Sequence, residues 1–236
     1  MARRLADGLW QFDLGLVTPL ATNVFLADES ALDGPGDDVT LVDTGLPVNY
    51  PTLASELDDA GYEAGDIDRV LLTHYDLDHV GGLRGLGSFD APVYIGERDA
   101  ALARGEWDPP WFHHKGAFHR LVRPFFDLSD VDLRPVADGD AVGAFAAHHT
   151  PGHNPGHTVF VHEGFDAAFL GDLVWEERGG YTTPFWLDSY DMRELRESVR
   201  RFAAATPDFE RGLVAHGDPL LVDGSDRLRE LADGLR

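Results

Sequence analysis

The chain has 236 residues, 43% of them hydrophobic, which suits one domain with a sizeable core, and no apolar run approaches the ~20 residues that a membrane span needs. It contains no cysteine, so disulfides, thiolate metal ligands and a cysteine nucleophile are excluded. Its net charge of −23, with Lys115 the only lysine among 19 basic residues, repels phosphate backbones and argues against a nucleic-acid partner.

The N-terminal part reads as β: residues 9–14 alternate, 23–27 form a short apolar strand and 39–42 another, with 31–38 as a hairpin loop. Asp43-Thr44-Gly45 closes the third strand. Residues 51–60 read as a helix, with Leu53, Leu57 and Ala60 at helical spacing and Gly61 just past its end. The strand Val70-Leu71-Leu72 follows and runs into Thr73-His74-Tyr75-Asp76-Leu77-Asp78-His79-Val80-Gly81-Gly82. Next come a strand at 92–95 and a helix at 97–104. Residues 105–130 differ in character, carrying Trp107, Trp111, Phe112, Phe118, Phe125 and Phe126 with His113, His114 and His119. They read as a helical insert, either a lid over a site or an extra packed helix, with His113 and His114 at the surface or a pocket rim. Strands are expected at 132–136, 144–149, 158–161 and 167–170. An amphipathic helix at 191–206 has Leu195, Val199, Phe202 and Ala203 as its buried stripe. A last strand at 212–215 and a closing helix at 225–235 complete the chain. There are no repeats and no domain boundary. The order suggests two β-rich halves packed face to face with helices outside.

The chemistry concentrates after strands. His74 and Asp76, two residues apart, can turn toward one point at a strand end, and Asp78 and His79 toward a neighbouring one. Imidazole and carboxylate both ligate a borderline divalent metal such as zinc. His153 lies in the Gly/Pro-stiffened turn Thr150–His157, Asp172 follows the strand at 167–170, and His216 follows the strand at 212–215. Strand ends on one edge of a sandwich converge although they are far apart in sequence. His157 reads as a packing or supporting residue, and His148, His149 and His162 receive no role.

From Gly8 to His216 the chain resembles the metallo-β-lactamase superfamily, whose pattern is H-x-H-x-D-H, a distant His, a bridging Asp and a last His. His74, Asp78, His79, His153, Asp172 and His216 match it, and the Asp43-Thr44-Gly45 turn and the T-P-G-H segment also look like the family's. The resemblance implies an α+β fold, a four-layer αβ/βα sandwich, with two divalent metal ions at the strand ends. Zinc is the first expectation and iron or manganese the alternatives. His74 and His153 would bind metal 1, Asp78, His79 and His216 metal 2, and Asp172 would bridge them. The chain departs from the pattern at Asp76, which stands where the second histidine belongs. Either Asp76 ligates metal 1 and makes the site harder and more anionic, or it is too short and the site works with one metal. The first reading is favoured.

The activity so implied is hydrolysis of a small-molecule ester, lactone or related carbonyl by a metal-bound hydroxide, with Asp78 as the catalytic residue orienting the nucleophile. No G-x-S-x-G supports a serine hydrolase, and no G-x-G-x-x-G follows a strand. Only Gly217 to Arg236 follow the last ligand, too little for the helical extension of a glutathione thioesterase. The rivals are a mononuclear-iron oxygenase acting on a thiol or persulfide, and a catalytically silent metal-binding protein. Trp107, Trp111, Phe112, Trp175, Tyr181, Phe185 and Trp186 are the candidates for substrate specificity. The carboxylate-rich, lysine-poor composition resembles proteins of salt-loving microbes. No apolar signal segment follows Met1-Ala2-Arg3-Arg4, so a cytoplasmic protein without a membrane partner is expected.

Overall fold

The computed structural model describes residues 2–15, 21–34, 36–87, 90–126 and 128–235. Pro35 of the expected hairpin loop and Asp127 of the expected insert lie outside the described residues. A first sheet contains β1 (Arg3–Ala6), β2 (Leu9–Leu14), β3 (Thr22–Asp28), β4 (Val39–Val42), β5 (Arg69–Leu72), β6 (Val93–Gly96) and β7 (Leu133–Val136), adjacent in that order. Pairing is antiparallel from β1 to β4 and parallel from β4 to β7. Later come β8 (Ala141–Val142), β9 (Phe145–His149), β10 (Thr158–His162), β11 (Ala167–Gly171), the hairpin strands β12 (Trp175–Glu177) and β13 (Gly180–Thr182), and β14 (Arg211–Val214). The second sheet runs β14-β11-β10-β9-β8. The helices are α1 (Leu53–Ala60), the single turn α2 (Leu77–Val80), α3 (Glu97–Ala103), α4 (His114–Val122), α5 (Met192–Ala205) and α6 (Gly224–Gly234).

Strand alternation builds the layers, because neighbouring residues face opposite sides of a sheet. Phe25, Val42 and Leu71 point inward and meet Phe145, Phe160, Phe169 and Leu213 of the second sheet in one buried cluster. Their neighbours Val24, Leu26, Leu41, Val70 and Leu72 point outward and are covered by Leu53 and Leu57 of α1 and by Ala100 and Leu102 of α3. On the far side Val159, Val161, Ala168 and Leu170 pack under Leu195, Val199 and Phe202 of α5 and Leu228 of α6. The result is helix, sheet, sheet, helix, the four-layer αβ/βα sandwich expected. Phe160 is fully buried between the sheets, and truncating it to Ala would cost about 3–5 kcal/mol.

The strands at 9–14 and 39–42 have the expected bounds, and the other expected elements differ by one or two residues at their ends. The edge strand β1, the two-residue β8 and the β12–β13 hairpin were not anticipated. Each is too short for alternation to register. Among the described residues of the insert at 105–130, regular α-helix is confined to His114–Val122, followed by a 3-10 turn at Arg123–Phe125. Among the described residues no helix is long and apolar enough to cross a membrane.

What matters for function is which ends coincide. Asp43 follows β4, His74 follows β5, His153 lies in the turn between β9 and β10, Asp172 follows β11 and His216 follows β14. Crevices outside the carboxyl ends of strands are where α/β sheets bind ligands.

Candidate metal centre

Two local devices set the first motif in place. Asp43 sits at φ 60°, a left-handed conformation that Asp tolerates better than most residues. It receives the Thr73 amide at 2.8 Å on Oδ1 and the His79 ring Nδ1 at 2.9 Å on Oδ2. Gly82 follows the motif helix and lies so close to the Asp43-Thr44-Gly45 turn that an added Cβ would come within 1.8 Å of the Thr44 carbonyl oxygen. That contact, with Gly82 N donating to Gly45 O and Thr44 N to His79 O, locks α2 against the turn.

The bridging carboxylate is set by a third device. Gly171 adopts φ 50° beside Thr73 and His157, and the β11–β14 register shifts there. Asp172 N donates to His157 Nε2 at 3.0 Å, and Trp175 Nε1 donates to Asp172 Oδ1 at 3.0 Å. Oδ2 is thereby left facing inward. Four imidazole Nε2 atoms surround it: His153 at 3.3 Å, His216 at 3.4 Å, His79 at 3.8 Å and His74 at 3.9 Å.

Two groups of donors result, His74 with His153 and Asp172, and Asp78 with His79 and His216, each with its ligand atoms within 4.8 Å of one another. Ligands about 2.1 Å from a tetrahedral ion stand about 3.4 Å apart. Asp78 Oδ2 lies 3.4 Å from His216 Nε2 and 3.7 Å from His79 Nε2. Among the described residues His74 Nε2 and His79 Nε2 are buried without a hydrogen-bond partner, an arrangement that is costly unless something is bound there. The residues therefore fit a divalent ion.

The remote ring nitrogens are already engaged, as they are around metal-ligating histidines. His79 Nδ1 donates to Asp43, His216 Nδ1 donates to Ala21 O at 2.9 Å, and His74 Nδ1 lies 3.0 Å from Thr73 Oγ1, which itself donates to Asp43 Oδ2. This network engages each Nδ1 and turns each Nε2 toward the centre. Thr22 Oγ1 donates to Asp78 Oδ2 at 2.8 Å and steadies that carboxylate.

Electrostatics follow from burial and carboxylates. Burial, with repulsion from His79, lowers the His74 pKa to about 4. Burial also pulls on His79 and His216, but carboxylates outweigh it: Asp43 and Asp78 raise His79 to about 9, and Asp172 and Asp78 raise His216 to about 11. Desolvation pushes Asp78 and Asp172 up, yet the facing histidines hold both well below the usual carboxylate range.

Asp76 is placed differently from the six residues above. Its Oδ1 accepts from His119 Nε2 at 2.7 Å and Asn154 Nδ2 at 2.9 Å. Its Oδ2 lies 2.7 Å from Lys115 Nζ, 3.2 Å from His153 Nε2 and 3.4 Å from His74 Nε2. Desolvation pushes the Asp76 carboxyl upward, but Lys115, His74 and His119 together hold it well below the usual range. Lys115 and His119 come from α4, so the insert at 105–130 reaches the centre. Lys115, His119, Asn154 and Thr22 had no role in the sequence reading. Only Lys115 carried a signal, as the single lysine of an acidic chain.

The centre opens into a cleft of about 790 Å³, walled by apolar Leu46, Leu77, Phe118, Trp175 and Leu187. Of the specificity candidates, Trp175 lines it. Trp107 packs on the core beneath the first sheet and Tyr181 against the layer under α5 and α6. Trp111, Phe112, Phe185 and Trp186 are exposed. His113 caps α4 by accepting from Gly116 N, and His114 stands at the cleft rim. His157 supports Asp172, as expected.

The family model described as "Metallo-beta-lactamase superfamily" matches residues 17–209. The chain is 28% identical over 203 residues to "Probable metallo-hydrolase YybB" of Bacillus subtilis, covering 83% of this chain and 82% of that one. A shorter match, 30% over 166 residues, is to "Ribonuclease TTHA0252" of Thermus thermophilus, with 60% of this chain and 37% of that one covered. Among solved structures, "TTHA1623 in a di-iron-bound form" superposes with a TM-score of 0.63 at 26% identity, covering 92% of this chain and 98% of that one. With the fold, the clustered donors and these matches together, the chain belongs to the metallo-β-lactamase superfamily of metallo-hydrolases.

Proposed function

We propose that this metallo-hydrolase acts on a small-molecule ester, lactone or related carbonyl, with Asp78 at the reacting centre. The observation that carries the reading is the ring of four imidazole Nε2 atoms around Asp172 Oδ2, beside an apolar-walled cleft that Asp78 and His216 line. Asp78, His79, His216 and Asp172 would hold a divalent ion, which would supply a Lewis acid and, by lowering the pKa of water toward ~7, hydroxide at neutral pH.

The chain's own groups do the rest. Asp43 and the Ala21 carbonyl hold His79 and His216 with Nε2 inward. Thr22 holds Asp78 Oδ2, so the carboxylate would be steadied where it accepts a hydrogen bond from the nucleophile and orients its lone pair. Trp175 fixes Asp172 and forms one wall, and its ring stands 5.2 Å from the His216 ring. Leu46, Leu77, Phe118 and Leu187 exclude water and receive the apolar part of a substrate. The net charge of −23 supports a small molecule over nucleic acid, and zinc, then iron or manganese, remains the order of preference for the ion.

The test is turnover on a panel of esters and lactones by metal-loaded protein. Hydrolysis lost on chelation and regained on reloading supports the proposal. Oxygen uptake with a thiol or persulfide, and no hydrolysis, replaces it with the iron oxygenase.

A further inference from the structure

The second donor group, His74 with His153 and Asp172, meets a cation that the chain itself provides. Lys115 Nζ donates to Asp76 Oδ2 at 2.7 Å, to His153 Nε2 at 2.8 Å and to the Asp188 carbonyl oxygen at 2.8 Å. An ammonium has three donors, and these three contacts are its shortest, with the His153 carbonyl oxygen farther off at 3.4 Å. Two of the three, Asp76 and His153, are residues that the family pattern would turn toward metal 1. We propose that this chain holds one divalent ion, in the group of Asp78, His79, His216 and Asp172, and that the Lys115 ammonium occupies the position of the other.

Four observations carry this. An imidazole Nε2 has a single lone pair, so His153 cannot accept from Lys115 and ligate an ion together. With His153 committed, His74 and the shared Asp172 are left, fewer than the three protein ligands of a zinc site. Asp76 faces the same donors but is engaged by the ammonium: His119 and Asn154 hold its Oδ1, and its Oδ2 lies 2.7 Å from Lys115 Nζ, closer than to His153 Nε2 or His74 Nε2. The Lys115 side chain is only 5% exposed, and a buried ammonium persists only where it is paired. Finally, Lys115 lies in the first turn of α4, where the helix dipole disfavours a cation, so helix stability does not explain its position.

Charge is consistent with the same count. Three carboxylates, Asp76, Asp78 and Asp172, face the centre. One dication and one ammonium together carry a charge equal and opposite to theirs. Asp76 in place of the family's histidine thus belongs with Lys115: a carboxylate suits an ammonium where an imidazole suits a metal.

The proposal rests on the hydrolase reading only for the ion in the first group, and its test reads ion number. Protein equilibrated with excess zinc and freed of loose ions is weighed by native mass spectrometry, and its cobalt(II) form is examined by electron paramagnetic resonance. Expected are one ion per chain, an isolated high-spin cobalt signal, and two ions per chain in Lys115→Met. Two ions in the wild type, or a spin-coupled cobalt pair, overturns the proposal and leaves the hydrolase reading intact. One ion in both wild type and a folded Lys115→Met removes Lys115 from the explanation and overturns it as well. If Lys115→Met does not fold, the wild-type stoichiometry and cobalt signal decide alone. One ion without hydrolysis of any panel substrate sinks the hydrolase reading while the ion count stands, and no ion at all sinks both.

Discussion

Asp43 Oδ2 accepts from His79 Nδ1 at 2.9 Å although Asp43 follows β4 and His79 lies in α2, and Asp43 reaches it from a left-handed backbone conformation. The same carboxylate takes the Thr73 amide and hydroxyl, so one buried side chain orients His79 directly and His74 through Thr73. Asp43→Asn retains a residue that tolerates positive φ but loses the charge that steadies the His79 tautomer. Metal affinity, measured by competition with a chromophoric chelator, should fall about 10–100-fold. Unchanged affinity would make Asp43 a turn residue and nothing more.

Phe118 lines the cleft, whereas Phe112, six residues earlier in the same insert, is 93% exposed. Phe118→Ala should raise KM for substrates with an apolar chain by about tenfold, in line with the ~1.5–3 kcal/mol of a buried side chain, while metal content stays as in the wild type. Phe112→Ala should leave both unchanged. Equal effects of the two on KM would place the substrate outside the cleft.

The acidic surface carries its own consequence. Unscreened carboxylates repel, so the melting temperature should fall as salt is lowered from molar to millimolar concentration. Thermal unfolding followed across that range tests it, and a midpoint independent of salt would remove the halophilic reading of the composition.

Tyr62 donates to Asp28 Oδ2 at 2.8 Å, and burial followed by that carboxylate raises its pKa to about 12. The neutral phenol is the form that the fold favours. Its contribution is therefore complete below about pH 10, the unfolded value, and is lost as pH rises through about 12. Tyr62→Phe should lose stability below pH 10 and converge with the wild type in stronger base, as read by urea unfolding at several pH values.

Much of this was legible in the chain itself. Alternation in Leu9–Leu14 and the spacing of Leu195, Val199 and Phe202 are strong periodic signals, because each records one buried face over several turns or residues. The donors were legible because each is a histidine or aspartate placed just past an apolar strand. Lys115 and His119 were not, since their approach to Asp76 depends on how α4 is carried over the cleft: Gly116 packs so closely on Pro109 that an added Cβ would lie 2.6 Å from the Pro109 Cβ. No local pattern in residues 105–130 encodes that contact. Asp76 illustrates the same limit, because its residue type announced a departure while its partners, 39 and 43 positions away in the chain, decide what the departure means.

The central claim is that the donors around Asp172 support hydrolysis, and it is tested most directly by one measurement. Purified protein is stripped with chelator, reloaded with zinc, iron(II) or manganese(II) in turn, and assayed on the ester and lactone panel beside Asp78→Ala. Turnover absent in the stripped protein, restored by reloading and missing in reloaded Asp78→Ala is the predicted result. Tight metal binding with no hydrolysis on any substrate, or hydrolysis that survives stripping, would contradict the account.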